Sequence, residues 1–258
     1  MLEERKQKEI DYYDKEAESS SINKKEAGSL TKFDPFFLES YQFLKDFLKN
    51  LYDSKNVLDY GCGTGVHLPW LAQSFKSATG IDLSRNSLNK AKKVLKDQGL
   101  ENKVSLVLGD CEEMPFENES FDVVFDGGTF SSLDLDKALQ EISRVLKTGG
   151  LLVGIETLGH NPLTNFKRKI NKILGKRTAF AESHIFKIHD LEKVKKYFTI
   201  SQLKFFHLTS FAVFPLLSFP GGKVFLKIFQ ALDHGLINIF PFLKKYSFKI
   251  VFAFRKHD

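Results

Sequence analysis

The stretch NVLDYGCGTGVHLPWLA, Asn56 to Ala72, restricts the fold more than any other part of the chain. A short apolar run ends in an acid, alternate glycines follow at Gly61, Gly63 and Gly65, and a helical pattern begins. Strand, glycine turn and helix in that order open a β-α-β unit, the building block of parallel sheets. Glycines there let a ligand approach the backbone at the carboxyl end of a strand, where open α/β sheets bind. The turn lacks the lysine of GxxxxGK[ST], which excludes a P-loop. Its GxGxG spacing also departs from the dinucleotide pattern GxGxxG. Asp59, ahead of the first glycine, would repel a pyrophosphate but accept hydrogen bonds from an ammonium group. Asp82, at the end of the next apolar run, is placed for ribose hydroxyls.

The same alternation continues along the chain. KNVLDY, SATGID, KVSLVLGD, SFDVVFDGG and GGLLVGIET read as strands. VHLPWLAQSF, SRNSLNKAKKVLKDQGL and LDKALQEISRVLK read as helices, the second capped by Ser84 and stopped near Gly99. Later runs, TISQLKFFHLTSF and SFKIVFAFRK, add two more strands. The expected fold is α/β: a Rossmann-like, doubly wound, seven-stranded and mostly parallel sheet with helices on both faces, plus an apolar C-terminal insertion. Four segments are expected: an N-terminal helical arm or cap (1–54), a core (55–210) with an insertion at 161–188, an apolar segment (211–246) and a final core strand (247–258).

In order along the chain, VLDYGCGTG, GIDLS, LGDCEEMPFENESFDVVF and ISRVLKTGGLLV resemble the motifs of the class I S-adenosylmethionine-dependent methyltransferases of the small-molecule type. The resemblance covers about Lys55 to Phe198. It implies S-adenosylmethionine as methyl donor, with S-adenosylhomocysteine as product. It also implies roles for individual residues. Asp59 would orient the cofactor amino group. Gly61, Cys62, Gly63, Thr64 and Gly65 would form the loop around its methionine and ribose. Asp82 would take the ribose hydroxyls, and Leu83 would pack on adenine. Asp110 would accept the adenine amine, with Cys111 adding backbone contact. Asp126 and Gly127, followed by Gly128, would line the methyl-transfer opening. No metal site is expected.

For the acceptor, members that modify nucleic-acid bases or glutamine carry an Asn/Asp-Pro-Pro-aromatic motif after the fourth strand. Here DGGTFSSL stands in that place, which disfavours base N-methylation. Glu156, His160 and Asn161 follow the fifth strand, and His184 lies further on. GHNP with a later Glu182-Ser183-His184 resembles a subgroup signature. Histidine titrates near neutrality, so His160 is the first candidate base and His184 the second; Glu156 and Asn161 are candidate acceptor-site residues. His67, in the first helix, reads as structural or cofactor-adjacent.

Charge is divided unevenly: residues 1–160 carry net −7 and residues 161–258 net +13. A basic half beside an apolar stretch fits docking on an anionic membrane surface and a hydrophobic or lipid-linked acceptor, methylated at oxygen or carbon. No charged side chain occurs from Phe205 to Gly222, yet Pro215 and Pro220 disfavour a spanning helix. The alternative reading of 211–246 is core or homodimer surface. Two rivals are an RNA methyltransferase that tracks phosphates along the basic half, and a non-catalytic binding protein on the same fold. Nucleic acid is the less favoured partner, because the aromatics fall in apolar runs instead of alternating with charges. Cys62 and Cys111 lack CxxC spacing, and the first residues lack a signal-type apolar core, so a cytoplasmic protein is expected, peripheral on the inner face of a membrane.

Overall fold

The computed structural model describes residues 3–19, 35–49, 51 and 55–257. Helices α1 (Glu4–Ser19) and α2 (Glu39–Lys49) precede the sheet. Then come β1 (Asn56–Tyr60), α3 (Leu68–Ser74), β2 (Ser77–Asp82), α4 (Arg85–Asp97), β3 (Val104–Leu108) and β4 (Phe121–Asp126). Next are α5 (Leu135–Val145), β5 (Leu146–Thr157), α6 (Pro162–Ile173), α7 (Ala179–Ser183), α8 (Leu191–Val194) and β6 (Phe198–Phe206). Last are α9 (Gly222–Ile239) and β7 (Lys249–Lys256). The sheet order is β3-β2-β1-β4-β5-β7-β6, with β7 antiparallel to both its neighbours. The expected seven strands are therefore present. The final strand inserts between β5 and β6, which strand reading alone could not place.

The central strands are apolar nearly throughout because both faces are covered. Val57, Val123, Phe125, Val153 and Val251 enter a cluster with α2, α3 and α4. Their neighbours Leu58, Val124, Leu152 and Phe252 enter a second cluster with α5 and α8. That two-residue alternation is the strand period feeding two cores. Local signals fix the element ends. Ser84 accepts from the Ser87 amide at 2.9 Å to cap α4, and Asp134 and Asn161 cap α5 and α6 in the same way. Gly99, at φ +67°, ends the α4 segment.

The N-terminal segment is expected as one arm but docks in two places, with 20–34 outside the described residues. Helix α2 lies on the sheet, where Leu44 and Leu48 are fully buried. Helix α1 crosses the carboxyl edge instead. Its Arg5 grips both Glu112 oxygens at 2.7 Å, and Lys6 reaches Asp110 at 2.5 Å. Asp14 accepts from the Ser84 hydroxyl, Tyr13 meets the Ser132 hydroxyl at 2.9 Å, and Tyr12 donates to the Lys176 carbonyl at 2.8 Å.

The apolar segment after β6 is half core and half surface. Val213, Phe214, Leu217 and Leu226 join the α2 side of the core. Buried Asp233 accepts from the Thr209 amide and hydroxyl, each at 2.6 Å, which ties α9 to the end of β6. His207 sits at φ +64°, between the Ser40 and Ser210 hydroxyls at 3.0 and 3.1 Å. Burial holds its imidazole down at about 3, hence neutral. No described helix is long and apolar enough to cross a membrane.

Candidate functional site

Parallel pairing brings the ends of β1, β2, β4 and β5 to one edge, with the topological reversal between β1 and β4. The three glycines of the first turn do different work there. All have positive φ, at +67°, +51° and +78°. A Cβ on Gly61 would strike the Thr129 side chain at 2.4 Å, and one on Gly65 would strike Ala91 of α4 at 2.8 Å. These two admit the protein's own packing. A Cβ on Gly63 would meet nothing within 4 Å, so this glycine faces open space.

Asp59 is buried at the end of β1, and neither carboxyl oxygen has a partner among the described residues. Burial, with Asp82 nearby, pushes it up to about 8. A buried acid without donors fits a ligand that brings its own, such as an amino acid's ammonium group. Asp82 accepts from the Gly63 and Ser84 amides, each at 2.8 Å. Each of its oxygens keeps a lone pair for a ribose hydroxyl. Asp110 accepts from the Glu112 amide at 2.8 Å and faces Lys6 across the edge. Cys62 packs over Gly80, where a Cβ would meet its sulfur at 2.8 Å, and the Cys111 carbonyl accepts from Tyr60 at 3.1 Å. Burial raises both thiols well above their usual range. Thr64 and Leu83 flank the loop, half-buried. The donor set and the open side of Gly63 fit S-adenosylmethionine.

Beyond β4, Asp126 is fully buried. One oxygen accepts from the Thr129 amide at 3.0 Å, and the other has no partner among the described residues. Glu156 sits beside it at the end of β5 and accepts from the Phe130 and Thr157 amides at 2.8 and 3.0 Å. Desolvation raises both carboxyls, and the neighbouring Glu156 raises Asp126 further, so the pair holds a proton readily. His67 fits against Gly127, where a Cβ would meet its ring at 2.5 Å, and stacks on Tyr41. Desolvation takes it down to about 4, hence neutral. The Lys249 amine lies 5.4 Å from the Tyr41 ring centroid, and desolvation takes it down to about 8.

The histidines and Asn161 lie elsewhere. His160 accepts the Ile188 amide at 3.1 Å through Nε2 and meets His189 edge to face. His184 is exposed and stacks on Phe180, 3.8 Å between centroids. Among the described residues, no hydrogen bond or ring contact joins either one to Asp126, Gly127 or Glu156. Asn161 caps α6 and donates to the Tyr246 carbonyl at 2.8 Å, which ties α6 to the end of the apolar segment. Tyr41, His67 and Lys249, which do gather near Asp126 and Glu156, come from three distant parts of the chain. His67 alone carried a sequence hint, through its place after the glycine turn.

Residues 58–154 match the family model described as a methyltransferase domain. The chain carries a class I S-adenosylmethionine-dependent methyltransferase domain. An uncharacterised methyltransferase, YodH of Bacillus subtilis, is 37% identical over 113 residues, 44% of this chain and 48% of that protein. A demethylmenaquinone methyltransferase of Staphylococcus aureus is 45% identical over 105 residues, 39% of this chain and 42% of that protein. The chain thus spans about half or less of these curated relatives. The fold is shared with geranyl diphosphate C-methyltransferase from Streptomyces coelicolor at TM-score 0.65 and 15% identity, over 99% of this chain and all of that one.

Proposed function

We propose that this chain transfers the S-adenosylmethionine methyl group to oxygen or carbon of a hydrophobic or lipid-linked small molecule while docked on an anionic membrane surface. The observation that carries this reading is an exposed face where large apolar side chains alternate with lysines. On α6, Leu163, Phe166, Ile170 and Ile173 point outward, Ile173 at 83% exposure, among Lys169 and Lys172, with Lys176 just beyond the helix. On α9, Val224, Phe225, Ile228 and Leu232 do the same beside Lys223 and Lys227. Phe242, 67% exposed, lies on Pro241–Tyr246, which follows α9 and whose end is bonded to Asn161 at the start of α6. Isolated exposed apolar residues need no explanation, but two helices that each expose at least four large ones do. Lysines around apolar anchors favour an anionic bilayer, each basic group near the surface adding about 1 kcal/mol. A quinone-methylating relative is consistent with an apolar acceptor.

The cofactor would rest on Asp59, Gly63, Asp82 and Asp110, with its methyl group toward Asp126 and Gly127. Methyl transfer is an in-line displacement, so holding the acceptor atom close supplies much of the rate. One carboxyl of the Asp126–Glu156 pair, in the state where the two share a single proton, would act as the base that takes the acceptor's proton. Lys249 and neutral His67 set the electrostatics around that pair.

Co-sedimentation with vesicles tests the docking. Phosphatidylcholine vesicles with phosphatidylglycerol should pellet the protein at low salt, and pure phosphatidylcholine should not. The double variant Phe166→Ser, Phe242→Ser should stay folded and remain in the supernatant. Radiolabel from S-adenosylmethionine should enter the organic phase of a lipid extract. Equal pelleting of parent and variant, or a concentration-dependent dimer that buries this face, would overturn the membrane reading. Label confined to the aqueous phase would overturn the lipid-like acceptor.

A further inference from the structure

Three cationic side chains lie within electrostatic reach of Glu156, and none of them is used to hold the cofactor. Arg168 of α6 is 7% exposed. Its Nη1 donates to the Leu158 carbonyl at 3.1 Å, the Thr164 hydroxyl at 3.2 Å and the Asn165 side chain at 2.7 Å. Its Nη2 is buried with no partner among the described residues. Arg177, in the turn before α7, donates from Nη2 to the Ala181 carbonyl at 2.6 Å, while its buried Nε has no partner among the described residues. Lys249 of β7 faces Tyr41, with no ion pair among the described residues. Arg168 lies within electrostatic reach of both Arg177 and Lys249 and is repelled by each.

The nearby acids do not offset them by contact. Glu156 spends its oxygens on two backbone amides. Glu9 is set beside Thr178 and Ser132 within electrostatic reach of Arg177, and Asp126 keeps one buried oxygen without a partner among the described residues. All three acids are pushed up by desolvation toward the neutral form. Arg168 is only lowered to about 10, so it keeps its charge at neutral pH. A buried guanidinium donor left unpaired is costly, and a planar fork matches phosphate oxygens in particular. Charges gathered from α6, the α6–α7 turn and β7 suit a tetrahedral anion better than a flat carboxylate.

We infer that Arg168, Arg177 and Lys249 form a phosphate subsite, so that the methyl acceptor is a phosphate ester. The inference rests on the methyltransferase reading and narrows its acceptor: the phosphate anchors at the arginines while the carbon or oxygen to be methylated faces Asp126. Lys249, nearest the carboxyl pair, would sit between the two.

Calorimetric titration of the full chain with inorganic phosphate and with decyl phosphate tests this, with and without saturating S-adenosylhomocysteine. Both probes should bind. Arg168→Met and Arg177→Met should each weaken binding at least about tenfold, and Lys92→Met on α4 should change nothing. Tighter binding of decyl phosphate would identify an amphiphile, and equal binding a soluble phosphorylated metabolite; either order supports the subsite. No binding of either probe, or unchanged affinity in folded arginine variants, overturns it. If the methionine variants melt early, Arg168→Lys and Arg177→Lys keep the charge but lose the fork, and must still weaken phosphate several-fold. S-adenosylhomocysteine binding without phosphate binding sinks the subsite alone. Failure to bind S-adenosylhomocysteine sinks the methyltransferase reading.

Discussion

Asp59 offers the most direct test of the cofactor site, because its burial makes cofactor binding a proton-linked event. The carboxyl rises from an ordinary 3.8 to about 8 in the folded chain. An acid raised on folding costs nothing below pH 3.8, where both states are protonated. The cost builds as pH climbs toward 8, because only the unfolded state releases its proton easily. Between pH 5 and 8 this amounts to ~4 kcal/mol, at ~1.4 kcal/mol per unit. Asp59→Asn cannot ionise and should escape it. The variant should gain stability on the parent by that order as pH rises from 5 to 8 in urea melts without ligand. A bound ammonium group reverses the preference and requires the carboxylate. S-adenosylhomocysteine affinity for the parent should therefore rise by about tenfold per pH unit from 6 to nearly 8, with release of close to one proton at pH 6. Calorimetry in two buffers of different ionisation enthalpy reads that proton directly, and Asp59→Asn should show weak, pH-flat binding. A parent affinity that does not change with pH, with no proton released, would refute the placement of the ammonium group on Asp59.

Other outcomes follow from the same geometry. Asp82→Ala should weaken S-adenosylhomocysteine by at least about tenfold in calorimetry, since the Gly63 and Ser84 amides lose their acceptor along with the ribose; unchanged affinity would move the ribose elsewhere. Gly61→Ala should lower the melting temperature well beyond a left-handed backbone penalty of ~1–2 kcal/mol, because Thr129 occupies the space, whereas Gly63→Ala should cost about that penalty alone. Lys6→Ala should speed S-adenosylhomocysteine association in stopped flow, since α1 must release Asp110 before adenine can use it. His160→Ala should keep turnover within a few-fold and lose ~1 kcal/mol of stability, since the Ile188 amide loses its acceptor; a collapse of turnover in a stable variant would restore His160 as the base.

The alternating sheet, its cofactor edge and the order of its motifs were legible before any coordinates. Strand and helix periods, the Ser84 cap, the Gly99 stop and the glycine turn are local signals, set by backbone sterics and by which faces must be apolar. The different jobs of the three glycines were not legible, because Thr129 and Ala91 reach Gly61 and Gly65 from 68 and 26 positions away. His160 follows the fifth strand and His184 closes the Glu182-Ser183-His184 element, but position in the sequence does not fix the direction of a side chain. The structure turns His160 to a backbone amide and His184 to a phenylalanine ring.

The apolar stretch after Lys204 shows the same division. Its hydropathy was plain, while its partition into an inner face on the core and an exposed outer face depended on how α9 packs through Asp233. A parallel α/β sheet with an acid-flanked glycine turn is written into local residue order, because those choices are made within a few residues. Long-range packing sets the rest: α1 crosses the carboxyl edge, the last strand enters the sheet between β5 and β6, and Tyr41, His67, Glu156 and Lys249 come close together. Those decisions depend on contacts between distant segments, whose loop-closure cost is offset only when the whole core is assembled.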